Sequence, residues 1–229
     1  MDTPRSDAID EEPKILRDMN LTGLEMARSA RERIIVGISG ATGIVYGVRL
    51  LEELQATGVE THLVTSRAGE MTRSYETFHS AQELRAKADV SYAIGDVGAA
   101  IASGSFRTRG MIIAPCSMRT LAEIATGVTT SLLTRAADVC LKERRRVVLL
   151  VRETPLTTVH LRNMLAATEA GAIIFPPVPA FYDRPATLDD MVDHTIGRVL
   201  DLFDLESGLV RRWGEPIHHD SAHRNGKSV

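Results

Sequence analysis

The chain has 229 residues, 44% of them hydrophobic and 25% charged, with a net charge of −3, enough for one medium domain with a core of its own. That charge balance excludes a general nucleic-acid binder and an anionic-membrane binder, so any anion site has to be local. No apolar run approaches the ~18 residues that cross a bilayer.

The chain begins "MDTPRSDAIDEEPK", which is acidic and has no apolar h-region, so it reads as neither a secretory nor a transit peptide. Residues 1–31 read as a polar N-terminal extension, disordered over the first dozen residues, with "ILRDMNLTGLEMARSARER" able to form one loose helix. The two cysteines, Cys116 and Cys140, form no C-x-x-C pair and no metal pattern. A reducing cytoplasm is the simplest reading.

Strand and helix signals then alternate. "RIIVGIS" (33–39) is a buried strand by its β-branched run, and residues 43–58 follow with helical spacing, Val45, Val48, Leu51 and Leu54 sharing one face. "ETHLVTS" (60–66) is a second strand, followed by a helical segment over 68–77. Residues 79–105 read as mixed loop with a short helix and a short strand. "GMIIAPCS" (110–117) is a third clear strand, followed by helices over 118–127 and 131–143. "VVLLV" (147–151) is the fourth, a helix spans 156–171, and "AIIFPP" (172–177) is the fifth, stopped by its prolines. A last amphipathic helix spans 188–205, with Leu188, Met191, Val192, Thr195, Val199 and Leu202 as its buried stripe. This alternation predicts an α/β fold with a single doubly wound, mainly parallel sheet, Rossmann-like or flavodoxin-like, with helices on both faces. The domain runs over 32–205, and 206–229 form a C-terminal extension ending in a polar tail whose His218, His219 and His223 are either solvated or a metal site.

In such sheets ligands bind beyond the carboxyl ends of the strands. "GISGATG" sets Gly37, Gly40 and Gly43 at a strand-to-helix turn, either a ligand loop or a merely tight turn. The spacing is not G-x-G-x-x-G, and the second strand ends in Thr65-Ser66-Arg67 without the acidic residue that grips an NAD ribose. Both point away from NAD and toward a mononucleotide flavin. Ser117 and Thr120 in "PCSMRT" either cap a helix or touch a ligand. Cys116 beside them reads as a buried small residue rather than a nucleophile.

Arg152 and Glu153 in "RETP" leave the most apolar strand on the ligand side, as a surface ion pair or as ligand groups. Lys142 precedes that strand, and Arg135 lies two turns up the same helix face, so the two could aim at one anion. Arg198 is either a snorkelling arginine or a phosphate ligand. Tyr182 either fills the core or offers its hydroxyl to the same anion.

Taken together and in order, "VGISGATGIVYGVRLL", "ETHLVTS", "IASGSF", "GMIIAPCSM", "LLTRAADVCLKERR", "VRETPL" and "GAIIFPPVPAFY" resemble the flavin prenyltransferases, the UbiX/Pad family. The likeness runs from about Arg33 to Trp213 and extends to the small B subunit of hydroxyarylic acid decarboxylase systems, which belongs to the same family. The resemblance implies a metal-independent prenyltransferase that joins the dimethylallyl group of dimethylallyl phosphate to N5 and then C6 of reduced FMN. It implies that the product, prenylated FMN, serves a UbiD-like decarboxylase. It also implies a homo-oligomer, typically dodecameric, with sites at subunit interfaces.

By position, the resemblance places Gly40, Ala41, Thr42, Ser66, Ser117, Met118, Arg119, Thr120 and Arg152 against FMN. It places Tyr182, Arg198 and Lys142 on the substrate phosphate, with Arg135 from a neighbouring subunit. Ser103 and Gly104 flank the isoprenoid, Glu153 is the acid/base and Glu76 lies near the phosphate. Thr42 stands where many members have serine, Val97 where some have tryptophan, and residues 1–31 have no counterpart. Two alternatives compete: a flavin-carrying accessory subunit of a decarboxylase, and an FMN-dependent cysteine decarboxylase, whose usual substrate loop and active-site histidine have no convincing match here.

Overall fold

The computed structural model describes residues 31–210. The expectations for the N-terminal extension up to residue 30, and for the tail with Trp213 and its three histidines, lie outside the described residues.

Six strands form the sheet: β1 (Arg33–Ile38), β2 (Glu60–Thr65), β3 (Val90–Tyr92), β4 (Gly110–Cys116), β5 (Arg146–Val151) and β6 (Ala172–Ile174). Their spatial order is β3-β2-β1-β4-β5-β6 and every pairing is parallel. This is the Rossmann strand order, with its topological switch point between β1 and β4. Seven α-helices are described: α1 (Ile44–Ala56), α2 (Arg67–Glu76), α3 (Ala81–Ala86), α4 (Met118–Thr126), α5 (Leu132–Lys142), α6 (Thr158–Glu169) and α7 (Leu188–Asp201). Short 3-10 turns occur at Ala100–Ala102 and Phe181–Asp183. Among the described residues no helix is long and apolar enough to cross a membrane.

Alternation along the strands builds two cores. Ile34, Val36 and Ile38 of β1 join Ile44, Leu51 and Leu54 of α1 and Ile196, Val199 and Leu200 of α7 on one face. Ile35 of β1 joins Met111 and Ile113 of β4 and Leu132, Leu133 and Ala136 of α5 on the other. Covering both faces is what makes β1, β4 and β5 almost unbroken apolar runs.

The helix stripes differ in detail from expectation. Val45 is 41% exposed, because α1 buries the wider arc of Ile44, Gly47, Val48, Leu50, Leu51 and Leu54. On α7 the buried arc runs through Val192, Thr195, Ile196, Val199 and Leu200, while Leu188 projects at the first turn and is exposed. β6 is shorter than predicted. It pairs with β5 only as far as Ile174, and Pro176 and Pro177, which lack an N–H, follow at once. β4 carries Pro115 inside a central strand, and its register with β5 shifts between Ile113 and Cys116. A proline fits there because the ladder is already broken.

Candidate active site

The loops leaving β1 and β4 meet at the switch point and are tied together by one buried hydroxyl. Ser39 donates its Oγ hydrogen to the Pro115 carbonyl at 3.0 Å and accepts from the Ser117 amide at 2.7 Å. Gly40 follows, with the start of α2 pressed against it. A Cβ at Gly40 would collide with that of Ala68, whose carbonyl carbon would stand 3.0 Å away. Gly43 caps α1 with φ at 101°, a left-handed conformation that favours glycine.

That cap uses no side chain of its own. Instead Glu76, the last residue of α2, accepts from the amides of Gly43 at 2.9 Å and Ile44 at 3.0 Å. Burial alone would raise the Glu76 carboxyl. The Thr42 hydroxyl, the Ile44 and Gly43 amides and the Arg152 charge outweigh it and hold the group below the usual carboxylate range. A carboxylate on free N–H groups at a helix N-terminus is the arrangement the helix dipole favours.

Ser66 caps α2, its hydroxyl accepting from the Gly69 amide at 2.9 Å. Beside it the Thr65 hydroxyl oxygen is buried with no hydrogen-bond partner. Ser117 caps α4, accepting from the Thr120 amide at 3.3 Å and donating to the Thr120 hydroxyl at 3.1 Å. Met118 packs against the second core, and Arg119, highly exposed, pairs with Glu123 at 3.0 Å. Cys116 is fully buried and burial pushes its thiol far up, which keeps it out of nucleophilic chemistry.

Arg152 and Glu153 leave β5 exposed on the same rim, with the Arg152 amide bound to the Cys116 carbonyl at 3.1 Å. The Glu153 carboxylate accepts from the Thr154 amide at 3.1 Å. Tyr46 faces this rim and was missed from sequence. Burial raises its phenol, while the Thr195 hydroxyl and the Arg152 charge pull the other way. The only signal was a polar-tipped aromatic in the otherwise apolar first turn, "GIVYG". Tyr182 lies in the 3-10 turn before α7 and bonds His194 at 2.9 Å. Arg198, one turn beyond His194, is half exposed and pairs with Asp201 at 3.2 Å.

A second group of the sequence-predicted residues stands elsewhere. Lys142 ends α5, before β5 begins, and is paired with Glu143. Next to it lies the loop of Ser103 and Gly104. The Gly104 carbonyl accepts from Arg145 at 2.6 Å, and a Cβ on Gly104 would stand 2.8 Å from the Lys142 ammonium. The Ser103 and Ser105 hydroxyls are 2.9 Å apart. Arg135 pairs with Asp138 at 2.7 Å on the same helix.

Between Lys142 and Arg152 lie a short turn and then the whole of β5, Arg146–Val151, a strand that at ~3.3 Å per residue spans about 20 Å. Within one copy, therefore, the charges flanking β5 do not close on one anion. The sequence-predicted residues thus fall into two groups: Gly40, Ala41, Thr42, Ser66, Glu76, Ser117, Arg152 and Glu153 at the rim where the strands end, and Ser103, Gly104 and Lys142 at the far end of β5. Among the described residues no group of three or more His, Cys, Asp or Glu side chains is placed to hold a metal.

The rim suits a flat ring carrying a phosphate. It offers backbone at the glycine turn, hydroxyls at Thr42, Ser66 and Ser117, and an arginine. Comparison with known proteins agrees. Residues 24–211 match the family model described as Flavoprotein. The flavin prenyltransferase UbiX of Thauera aromatica is 56% identical over 181 residues, 79% of this chain and 93% of that protein. A solved AnUbiX (PadA1), in complex with FMN and dimethylallyl pyrophosphate, is 53% identical with a TM-score of 0.79, covering 80% of this chain and 97% of its own. A dodecameric FMN-dependent UbiX-like decarboxylase from Escherichia coli O157:H7 is 52% identical with a TM-score of 0.77, covering 79% and 98%. The chain belongs to the flavoprotein family and, within it, to the UbiX flavin prenyltransferases.

Proposed function

We propose that this chain transfers the dimethylallyl group of dimethylallyl phosphate to reduced FMN, making prenylated FMN for a UbiD-like decarboxylase. The observation that carries this reading is the AnUbiX structure, a half-identical relative along most of the chain that holds FMN and dimethylallyl pyrophosphate together. Reduced FMN, when bound, supplies the electron-rich N5 and C6 that take up the five-carbon unit. Gly40, Ala41, Thr42, Ser66, Ser117, Met118, Arg119, Thr120 and Arg152 hold it at the rim.

The rest is electrostatics. When the allylic C–O bond breaks, its electron pair leaves with the phosphate, so negative charge grows there. Fixed cations and a phenol aimed at that charge can supply the largest catalytic contribution. Arg198 and Tyr182 provide this from one copy, and Lys142 with Arg135 from its neighbour. Glu153 carries a proton to the departing phosphate and later accepts one, and Glu76 holds the turn beneath. Ser103 and Gly104 wall the isoprenoid slot and keep water from the electron-poor carbon.

A shared site requires an assembly. In a single copy Met71, Tyr75 and Phe78, at and just after α2, and Val159, Leu161 and Leu165 on α6 are all exposed, apolar side chains that a neighbouring copy can cover. A homo-oligomer, a dodecamer like the solved E. coli protein, covers such surface. Residues 32–205 serve as the catalytic domain, flanked by the 1–31 and 206–229 extensions. The buried, unpaired Cys116 and Cys140 suit work in the cytoplasm.

The test is the mass of the product. Purified protein incubated without oxygen with reduced FMN and dimethylallyl phosphate should yield a flavin heavier by one isoprenyl unit. A flavin of unchanged mass contradicts the proposal and leaves a flavin-carrying subunit.

A further inference from the structure

We infer that His194 is the positioning residue for Tyr182: its Nε2–H donates to the tyrosine oxygen and so turns the phenolic hydrogen outward, toward the substrate phosphate. This rests on the reading of Tyr182 as a phosphate contact. The oxygen and Nε2 are 2.9 Å apart, and the two rings meet edge to face, 5.7 Å between centroids at 81°. His194 is 9% exposed on α7, whereas Tyr182 is 55% exposed, so one end of the pair is set in the core and the other faces outward.

The turn that carries Tyr182 is fixed to the same helix by a second device. Asp190 accepts from the amides of Ala186 at 2.8 Å and Thr187 at 2.9 Å, while the Thr187 hydroxyl accepts from the Asp190 amide at 3.1 Å. The backbone before α7 is thus held by bonds of its own, and the Tyr182–His194 bond acts on the side chain. Thr195, the next residue, is the partner of Tyr46, which lies in the field of Arg152.

The proton count makes the direction of the bond matter. A phenol has one hydrogen. If it is given to the imidazole, the oxygen meets an anion with lone pairs only and repels it. If Nε2 carries the hydrogen, the phenol keeps its own for the phosphate. A neutral imidazole has one donor and one acceptor nitrogen, so a single tautomer decides the outcome.

The test uses the full-length oligomer. His194→Phe keeps the ring and removes the donor. His194→Gln restores an N–H at similar reach. KM and kcat for dimethylallyl phosphate, Kd for FMN and thermal midpoint are measured for each, alone and combined with Tyr182→Phe. His194→Phe should raise the KM roughly three- to tenfold, the worth of one neutral hydrogen bond, with FMN affinity unchanged. His194→Gln should recover most of that loss, and His194→Phe should add nothing in the Tyr182→Phe background.

Independent effects in the double variant, or His194→Gln no better than His194→Phe, overturn the positioning role alone. An unchanged KM in Tyr182→Phe overturns the phosphate reading of Tyr182, and the positioning role with it. Nitrogen-15 spectra of the unaltered protein give a readout that no folding defect can obscure. They should show His194 protonated at Nε2, and an Nδ1–H tautomer overturns the inference.

Discussion

Glu76 sets its carboxylate on two backbone amides. Its two bonds to the Gly43 and Ile44 amides close the N-terminus of α1, whose glycine cap has no side chain to do so. The carboxyl is held below its ordinary value of 4.5, so its stabilising contribution is complete above that value and is lost as pH falls through the lower, folded one. Glu76→Gln should therefore lower the thermal midpoint at neutral pH, and the gap between variant and parent should close on acidification toward pH 4 and below. A gap that stays constant with pH would show that the charge is not what holds the turn. From sequence Glu76 was a residue near the phosphate by resemblance only. Nothing in "YET" announces a bond to a glycine turn over thirty positions away, because a cap supplied from another helix leaves no local pattern. Tyr46 and His194 were passed over for the same reason: each acts through a partner brought close only by the packing of α1 and α7.

At the scale of elements, the glycine turn works because β1, β2 and the helices after them come very close. Gly40 has the start of α2 against it, so a methyl group there has to push Ala68 away. Gly40→Ala should cost about 1–3 kcal/mol in urea unfolding, the usual range for overpacking, and weaken FMN binding seen as quenching of flavin fluorescence. Gly95→Ala, where an added Cβ meets nothing within 4 Å and φ is ordinary, is the control and should change neither. Equal effects at both positions would mean that the turn is not tight. The strands around it were readable because a sheet covered on both faces leaves long β-branched and leucine runs, as in "RIIVGI" and "RVVLLV". β3 was harder: three residues, "VSY", partly exposed on a sheet edge, carry almost no periodicity. The stripe of α7 was right at Val192, Thr195 and Val199 and overran at its first turn, because spacing gives the period of a helix but not where the sheet beneath it ends. That is why Leu188 was expected inside.

At the scale of the whole molecule, the decisive fact is the length of β5. The stretch from Arg135 to Pro155 reads as one cluster of charge around one short strand, and chain order invites the reading of a single clamp. In the fold that strand is a spacer, with Lys142 beyond one end and Arg152 beyond the other. Sequence proximity and spatial proximity part here, and in the proposed function it is a second copy that brings the two ends together. The exposed apolar residues of α2 and α6 show that a single copy leaves surface for such an assembly.

The most direct measurement of the proposed sharing is complementation. Lys142→Ala and Arg152→Ala are each purified, then co-expressed from two differently tagged genes so that mixed oligomers form, and prenylated flavin is counted by mass. Each variant alone should make little product. Random mixing should restore about a quarter of the parent's sites, because half of the chains supply each intact half. Mixed oligomers no more active than the variants alone would contradict the account, since they would place Lys142 and Arg152 in the service of the same copy or outside the reaction altogether.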